Sequence, residues 1–281
     1  MNRLSYALCA LAMFTFSCTG NQTRPVADTV PADTADTVVA EPTVVDTLEQ
    51  LITETPMPRA ADELFDDFLF NFAANKRLQM ERVAFPLPVT RNGKTVHVEK
   101  GQWKMDHFFM RQGYYTVLFD DEKQMEVVKD TSVSRAVVEK IYFNTGAVQQ
   151  YMFSRVKGAW MLLTVKTEPI SANRNASFLT FYHAFVTDSL FQANSLGETV
   201  TFIGPDPDDD FARMEGILTP DTWPAFAPEL PKRMIYNIIY GEPQSDSKKK
   251  ILLMRGISNG LEIEMTFKLH GERWKLVKLT T

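Results

Sequence analysis

Two stretches of this chain carry the same helical stripe at a fixed distance from each other. In DELFDDFLFNFAANKRLQM the apolar side chains fall at Phe65, Phe68, Leu69, Phe72 and Ala73, the i, i+3, i+4, i+7, i+8 spacing of a helix with one buried face. In SFLTFYHAFVTDSLFQ the stripe returns at Phe178, Phe181, Tyr182, Phe185 and Val186, each 113 residues after its counterpart. Trp160 in KGAWMLLTVK and Trp274 in GERWKLVKLT stand 114 apart, and Trp103 and Trp223, each ahead of a short aromatic segment, stand 120 apart. The second copy must therefore gain a few residues early and lose them later, and GPDPDDDF at 204–211 is the expected place of the gain. A chain of this kind has to supply two buried faces of nearly the same design.

Strand patterns follow in the same order in each copy. In the first they are YYTVLF (114–119), MEVVK (125–129), AVVEKIYF (136–143), VQQYMFSRV (148–156) and WMLLTVK (160–166). In the second they are VTFIG (200–204), MIYNIIYG (234–241), KILLMRG (250–256), LEIEMTFKLH (261–270) and WKLVKLT (274–280). In LEIEMTFKLH, Leu261, Ile263, Met265, Phe267 and Leu269 point one way and Glu262, Glu264, Thr266 and Lys268 the other, as in an antiparallel sheet with one wet face. Gly271, and the Lys-Gly pair at 157–158, mark hairpin turns. A helix, a short helix and then an antiparallel meander, written twice, predict an α+β protein of two tandem lobes, 59–170 and 171–281. A long aromatic helix followed by a sheet ending in Gly-x-(x)-Trp-x-Leu resembles the nuclear-transport-factor-2-like (NTF2-like) fold, cystatin-like in its broader sense. That resemblance implies a helix lying in a curved sheet and a conical pocket in each lobe.

The chain begins MNRLSYALCALAMFTFSCTGNQ, with Arg3 ahead of an apolar run over 4–16. The run is shorter than the ~20 residues of a spanning helix and suits the core of a signal peptide. Ser17 before Cys18 resembles a bacterial lipoprotein signal, which implies removal of residues 1–17 and acylation of Cys18. An ordinary secretory signal with an incidental cysteine is the other reading. Cys9 and Cys18 are the only cysteines, so cleavage there leaves no free thiol. Disulfides, thiolate zinc sites and cysteine nucleophiles are then excluded.

Residues 18–58 read as a disordered Asp/Thr/Pro tether without aromatic residues. A flexible segment of about 40 residues spans roughly 35 Å. Within it Thr29, Thr34, Thr37 and Thr47 each follow an aspartate and precede an apolar residue, which resembles the O-glycosylation signal of exported Bacteroidetes proteins. A low-complexity tether produces such triplets by composition alone. The whole layout resembles a Bacteroidetes lipoprotein family of unknown function, which implies location and fold but no activity. CTGNQT carries no acid after the cysteine, which favours a periplasm-facing anchor over surface display. The net charge is −5, but residues 59–281 hold 28 acids and 28 bases, so the folded part is neutral and nucleic acid is not an expected partner.

Candidates for chemistry are few. His97, His107, His183 and His270 form no metal-ligand spacing. His183 lies beside Tyr182 and five residues before Asp188, and a His and a Tyr facing a pocket are equipped for general acid–base work. The competing reading is a histidine at the edge of the buried stripe. Asp206, Asp208 and Asp210 alternate as calcium-loop ligands do, but Phe211 and Ile217 stand where such a loop needs Gly and Glu, so a solvated acidic loop is expected. No nucleophile elbow, phosphate loop or dinucleotide fingerprint occurs, and no cofactor is expected. The tryptophans, present in both copies, are expected to serve packing. The function expected is non-catalytic, binding a small ligand or an envelope protein from a lipid anchor. The alternative is an isomerase- or cyclase-like enzyme with its pocket in the second lobe.

Overall fold

The stripe at 65–73 forms α1 (Phe65–Ala74), which buries Phe65, Phe68, Leu69, Phe72 and Ala73. Asn75 follows it and caps α2 (Lys76–Arg82), its side chain accepting from Leu78 N at 3.0 Å. The computed structural model describes residues 62–206, 208–241 and 247–281. The proposed signal peptide (1–17), the tether (18–58), Cys18, Thr29, Thr34, Thr37 and Thr47 lie outside them, as does the Asp210 side chain.

The first half continues with the hairpin β1 (Leu87–Arg91) and β2 (Lys94–Val98), then β3 (Tyr114–Phe119), α3 (Glu122–Glu126), β4 (Arg135–Tyr142), β5 (Ala147–Val156) and β6 (Ala159–Pro169). One expectation changes here, and one hairpin is added. MEVVK is not a strand: its first residues end α3 and Val127–Lys129 form a 3-10 turn. Asp121 nucleates this helix by accepting from Gln124 N at 3.0 Å, a local cap that outweighs the β preference of two valines. The hairpin β1–β2, for its part, turns on Asn92 and Gly93, both at positive φ, the strongest short-range hairpin signal a sequence carries.

The second half contains α4 (Ala176–Thr187), α5 (Ser189–Asn194), β7 (Leu196–Asp206), β8 (Asp209–Leu218), α6 (Trp223–Phe226), β9 (Met234–Tyr240), β10 (Lys249–Gly256), β11 (Glu262–His270) and β12 (Arg273–Thr280). VTFIG is thus part of a longer strand, and Asp206 and Asp209 pair at the end of the β7–β8 hairpin. The turns at Lys157-Gly158 and Gly271 fall where expected, with all three residues at positive φ.

Among the described residues the strands form two six-stranded sheets, ordered β2-β1-β6-β5-β4-β9 and β3-β10-β11-β12-β7-β8. In each, the first strand of the early hairpin lies parallel to the last strand, β1 on β6 and β7 on β12, and the other pairs are antiparallel. Each sheet ends in a strand taken from the other half. β9 pairs with β4 from Ala136↔Tyr240 to Tyr142↔Met234, and β3 pairs with β10 from Ile251↔Phe119 to Gly256↔Tyr114. A boundary at 170/171 therefore divides the chain without dividing the sheets.

The exchanged strands meet at the seam. The Thr116 hydroxyl donates to the Tyr236 carbonyl, and Leu118 N donates to Asn237 Oδ1 at 2.8 Å. Asn237 Nδ2 donates in turn to Glu139 Oε2 at 2.8 Å, while Gln150 and Asn173 donate to Glu139 Oε1. Glu139 is wholly buried, and these donors replace the water that it lost.

Each helix packs a layer of aromatic rings on one face of a sheet. Phe65 meets Trp160 with centroids 4.8 Å apart, and Phe178 meets Trp274 at 5.3 Å. Phe65, Phe68 and Phe72 surround Phe153, as Phe178, Phe181 and Phe185 surround Phe267. The tryptophans are packing anchors, each buried side chain stabilising by about 2 to 3 kcal/mol.

Candidate functional site

Between α4 and the second sheet lies a cavity of about 890 Å³. Phe185, Val186 and Thr187 line it from α4, Met254 from β10, Leu261 and Ile263 around β11, and residues 227–232 from the loop before β9. The other half of the chain contributes Tyr114, which β3 carries into this sheet. The wall mixes apolar and polar surface, and Glu229 and Lys232, on the lining loop, are solvent-exposed. Tyr114 is half-buried, and burial pushes its phenol above the ordinary value, so the hydroxyl stays neutral and able to donate. That hydroxyl makes no hydrogen bond among the described residues and is available to a ligand. Gln192 also lines the cavity, but its amide is engaged: Nε2 donates to the Phe185 carbonyl at 3.1 Å and Oε1 accepts from Trp223 Nε1 at 3.0 Å.

The matching place in the first sheet is filled. β4 sets Lys140 opposite Gln149 as β10 sets Met254 opposite Ile263. Lys140 Nζ lies 2.7 and 2.6 Å from the two oxygens of Asp106, and Tyr151 OH donates to Asp106 Oδ2 at 2.6 Å. The ammonium also sits 5.2 Å from the Phe108 and Tyr151 ring centroids and 5.8 Å from that of Tyr236, which β9 brings from the other half. Burial alone would raise the Asp106 carboxyl. The Lys140 charge and the hydrogen bonds from Lys140, Tyr151 and Phe108 N outweigh it, holding Asp106 below the usual carboxylate range. The Tyr151 phenol is pushed far up by burial and by Asp106, so it remains a donor.

The residues singled out for catalysis do not converge on the cavity. Tyr182 is buried and donates to the Pro231 carbonyl at 3.0 Å, and burial pushes its phenol far above the ordinary value. His183 stacks flat on Phe143 with centroids 5.2 Å apart and planes 6° from parallel. Asp188 caps α5, accepting from Leu190 N at 2.9 Å and Phe191 N at 3.0 Å. None of the three lines the cavity. At the acidic turn, Asp206 accepts from Asp208 N and Asp209 accepts from Phe211 N, each carboxylate bracing its own turn. Among the described residues no three His, Cys, Asp or Glu side chains gather as metal ligands.

A glutamine pair escaped sequence reasoning although its signal was present. Gln79 precedes Gln192 by the same 113 residues as the helical stripes. Gln79 Oε1 accepts from Trp103 Nε1 at 3.1 Å, as Gln192 accepts from Trp223, and its Nε2 donates to the Phe72 carbonyl at 2.8 Å, as Gln192 donates to Phe185. Gln79 adds two bonds to the Asp106 backbone. Asn75 and Asp188 are spaced identically and both cap the short second helix. Tyr114 and Tyr236 carried no such signal, because their places depend on strand exchange.

Two curved sheets, each holding an aromatic helix, define an NTF2-like α+β protein. The chain is similar to an NTF2-like protein from Bacteroides fragilis NCTC 9343, solved as a crystal structure, at 41% sequence identity and a TM-score of 0.72. The match covers 80% of this chain and 98% of that one. Residues 44–281 match the family described as a domain of unknown function, DUF4348, and the chain belongs to that family. No curated protein matches it.

Proposed function

We propose that this chain is a non-catalytic binding protein that takes a small, largely apolar molecule into the second-half cavity. One observation carries this reading: the second sheet leaves about 890 Å³ where the first holds an ion pair. A space of that size, with apolar side chains from α4, β10 and β11 in its wall and a single unpaired phenol, suits a ligand held by burial and oriented by one hydrogen bond. The enzyme alternative has less support, since Tyr182 and Asp188 spend their polar atoms on backbone groups and His183 stacks on Phe143. We further read the two halves as a duplicated NTF2-like unit, on the strength of the matching strand orders and the paired glutamine–tryptophan bonds. In this proposal Cys18 carries the lipid, residues 18–58 form the tether, and the folded part faces the periplasm. Incorporation of labelled fatty acid that survives Cys18→Ala would count against the anchor.

The binding test is titration with an apolar fluorescent probe, 1-anilinonaphthalene-8-sulfonate. Saturable one-site binding is expected. Met254→Lys, which copies the first half's residue without its acid partner, should weaken it at least tenfold. Leu261→Trp, which narrows the cavity, should do the same. An absence of saturable binding to the unaltered chain refutes the proposal.

A further inference from the structure

Among the described residues β8 is the outermost strand of the second sheet and pairs with β7 alone. Its edge carries Asp209, Arg213 and Glu215 but is long. The corresponding edge of the first sheet, β2, is five residues long and carries Lys94, whereas β8 runs ten residues and contains neither lysine nor proline. The inner ends of both sheets, β3 and β9, are held against each other at the seam. β8 leaves Phe211 100% exposed, Ile217 67% and Met214 40%. A long edge strand with exposed apolar side chains is a template for another strand.

The sequence of β8 specifies which strand. Its register with β7 sets Arg213, Glu215 and Ile217 opposite Pro205, Ile203 and Thr201, on the outer face of the sheet, while Met214, Gly216 and Leu218 lie opposite Gly204, Phe202 and Val200 on the buried face. We propose that β8 is a self-pairing edge, at which two copies of this chain join antiparallel about Met214 into one continuous sheet.

An antiparallel pair related by a two-fold axis through Met214 sets Arg213 of each copy opposite Glu215 of the other. The same register sets Phe211 opposite Ile217 and Ala212 opposite Gly216, each pairing occurring twice. Cross-strand neighbours of opposite charge and matched apolar character are what stabilise a sheet. A two-fold axis perpendicular to the sheet keeps outer face beside outer face, which permits only slips by two residues. Sliding two residues either way puts Arg213 against Arg213 or Glu215 against Glu215, so the charges exclude both neighbouring registers. Arg213 already donates one guanidinium nitrogen to the Thr281 carbonyl at 2.6 Å and has further N–H groups for the partner's carboxylate. One strand pair buries less than a standard interface, so the dimer is weak.

Sedimentation equilibrium of the purified full chain tests this through charge exchange. The unaltered chain should show a reversible monomer–dimer equilibrium. Arg213→Glu alone and Glu215→Arg alone should each weaken it at least tenfold, and the two together should restore it to within about threefold. Glu215→Arg leaves the Thr281 contact intact, so it remains decisive even if Arg213→Glu disturbs the C-terminal strand. Met214→Cys, in a chain with Cys9 and Cys18 changed to serine, should cross-link to itself on oxidation, whereas Phe211→Cys in that background should not. A chain that stays monomeric at about 1 mM overturns the proposal. So does a dimer indifferent to the single charge reversals, or a double reversal that fails to recover.

Discussion

Lys140 in the first half and Met254 in the second occupy the same position in the same order of strands, yet the space around them differs. In the first half Asp106, Lys140 and Tyr151 close the concave face with an ion pair roofed by aromatic rings. In the second, Met254 and Ile263 line a void. The binding proposal rests on this difference between the two places. The contrast also shows that the helix and sheet frame tolerates either solution, because both rest on the same aromatic layer beneath.

Four measurements break or sharpen this contrast. The largest effect belongs to the strands the halves exchange. A chain ending at residue 170 strips β9 from β4 and leaves β3 without β10, so it should lose cooperative unfolding altogether in a urea titration followed by circular dichroism. A sharp transition for that fragment would show that each half stands alone.

Next comes the ion pair itself. Lys140→Met leaves the Asp106 carboxylate mostly buried with Tyr151 and Phe108 N but no cation, and should cost about 3 kcal/mol by urea unfolding. Adding Asp106→Leu and Tyr151→Met to it should recover most of that loss, since an apolar filling replaces the pair. The pH dependence follows the sign of the Asp106 shift. Its folded value is depressed, so its contribution is complete above the unfolded carboxylate range, near pH 4, and disappears as pH falls through the lower folded value. Lys140→Met should flatten that acid limb.

The glutamines rank third. Gln79→Ala removes four hydrogen bonds and should destabilise by about 2 to 3 kcal/mol, against about 1 kcal/mol for Gln192→Ala, which removes two. Equal losses would mean that the Asp106 contacts of Gln79 add nothing.

The smallest effect is at Asp66, whose counterpart 113 residues on is Leu179. Burial raises the Asp66 carboxyl, against the hydrogen bond from Tyr240 OH at 2.6 Å and the charge of Arg255. Its folded value lies above the unfolded one, so what it contributes is present below pH 4 and is lost as pH rises through the folded value. Asp66→Asn should therefore gain a few tenths of a kcal/mol at pH 7 and nothing in acid, read from paired unfolding curves.

Much of the frame was legible because its signals are local. The helical stripes, the Trp160 and Trp274 anchors and the turns at 157–158 and 271 are written within a few residues of where they act. The Asn92-Gly93 hairpin and the spacing of Asn75 and Asp188 were equally local and show why a residue chosen for catalysis serves as a cap. MEVVK misled because the β preference of its valines is weaker than one Asp121 cap.

By itself the sequence determined two aromatic helices, two sets of strands and their buried faces, since periods of 3.6 and 2 depend only on neighbours along the chain. The tertiary structure alone decided that β3 and β9 would change places, that Tyr114 and Tyr236 would each serve the other half, and that one concave face would fill while the other stayed open. Those outcomes rest on pairs such as Asp106 with Lys140 and Thr116 with Tyr236, separated by 34 and 120 residues. Contacts at such distances leave no periodic trace, and only the folded chain brings them together.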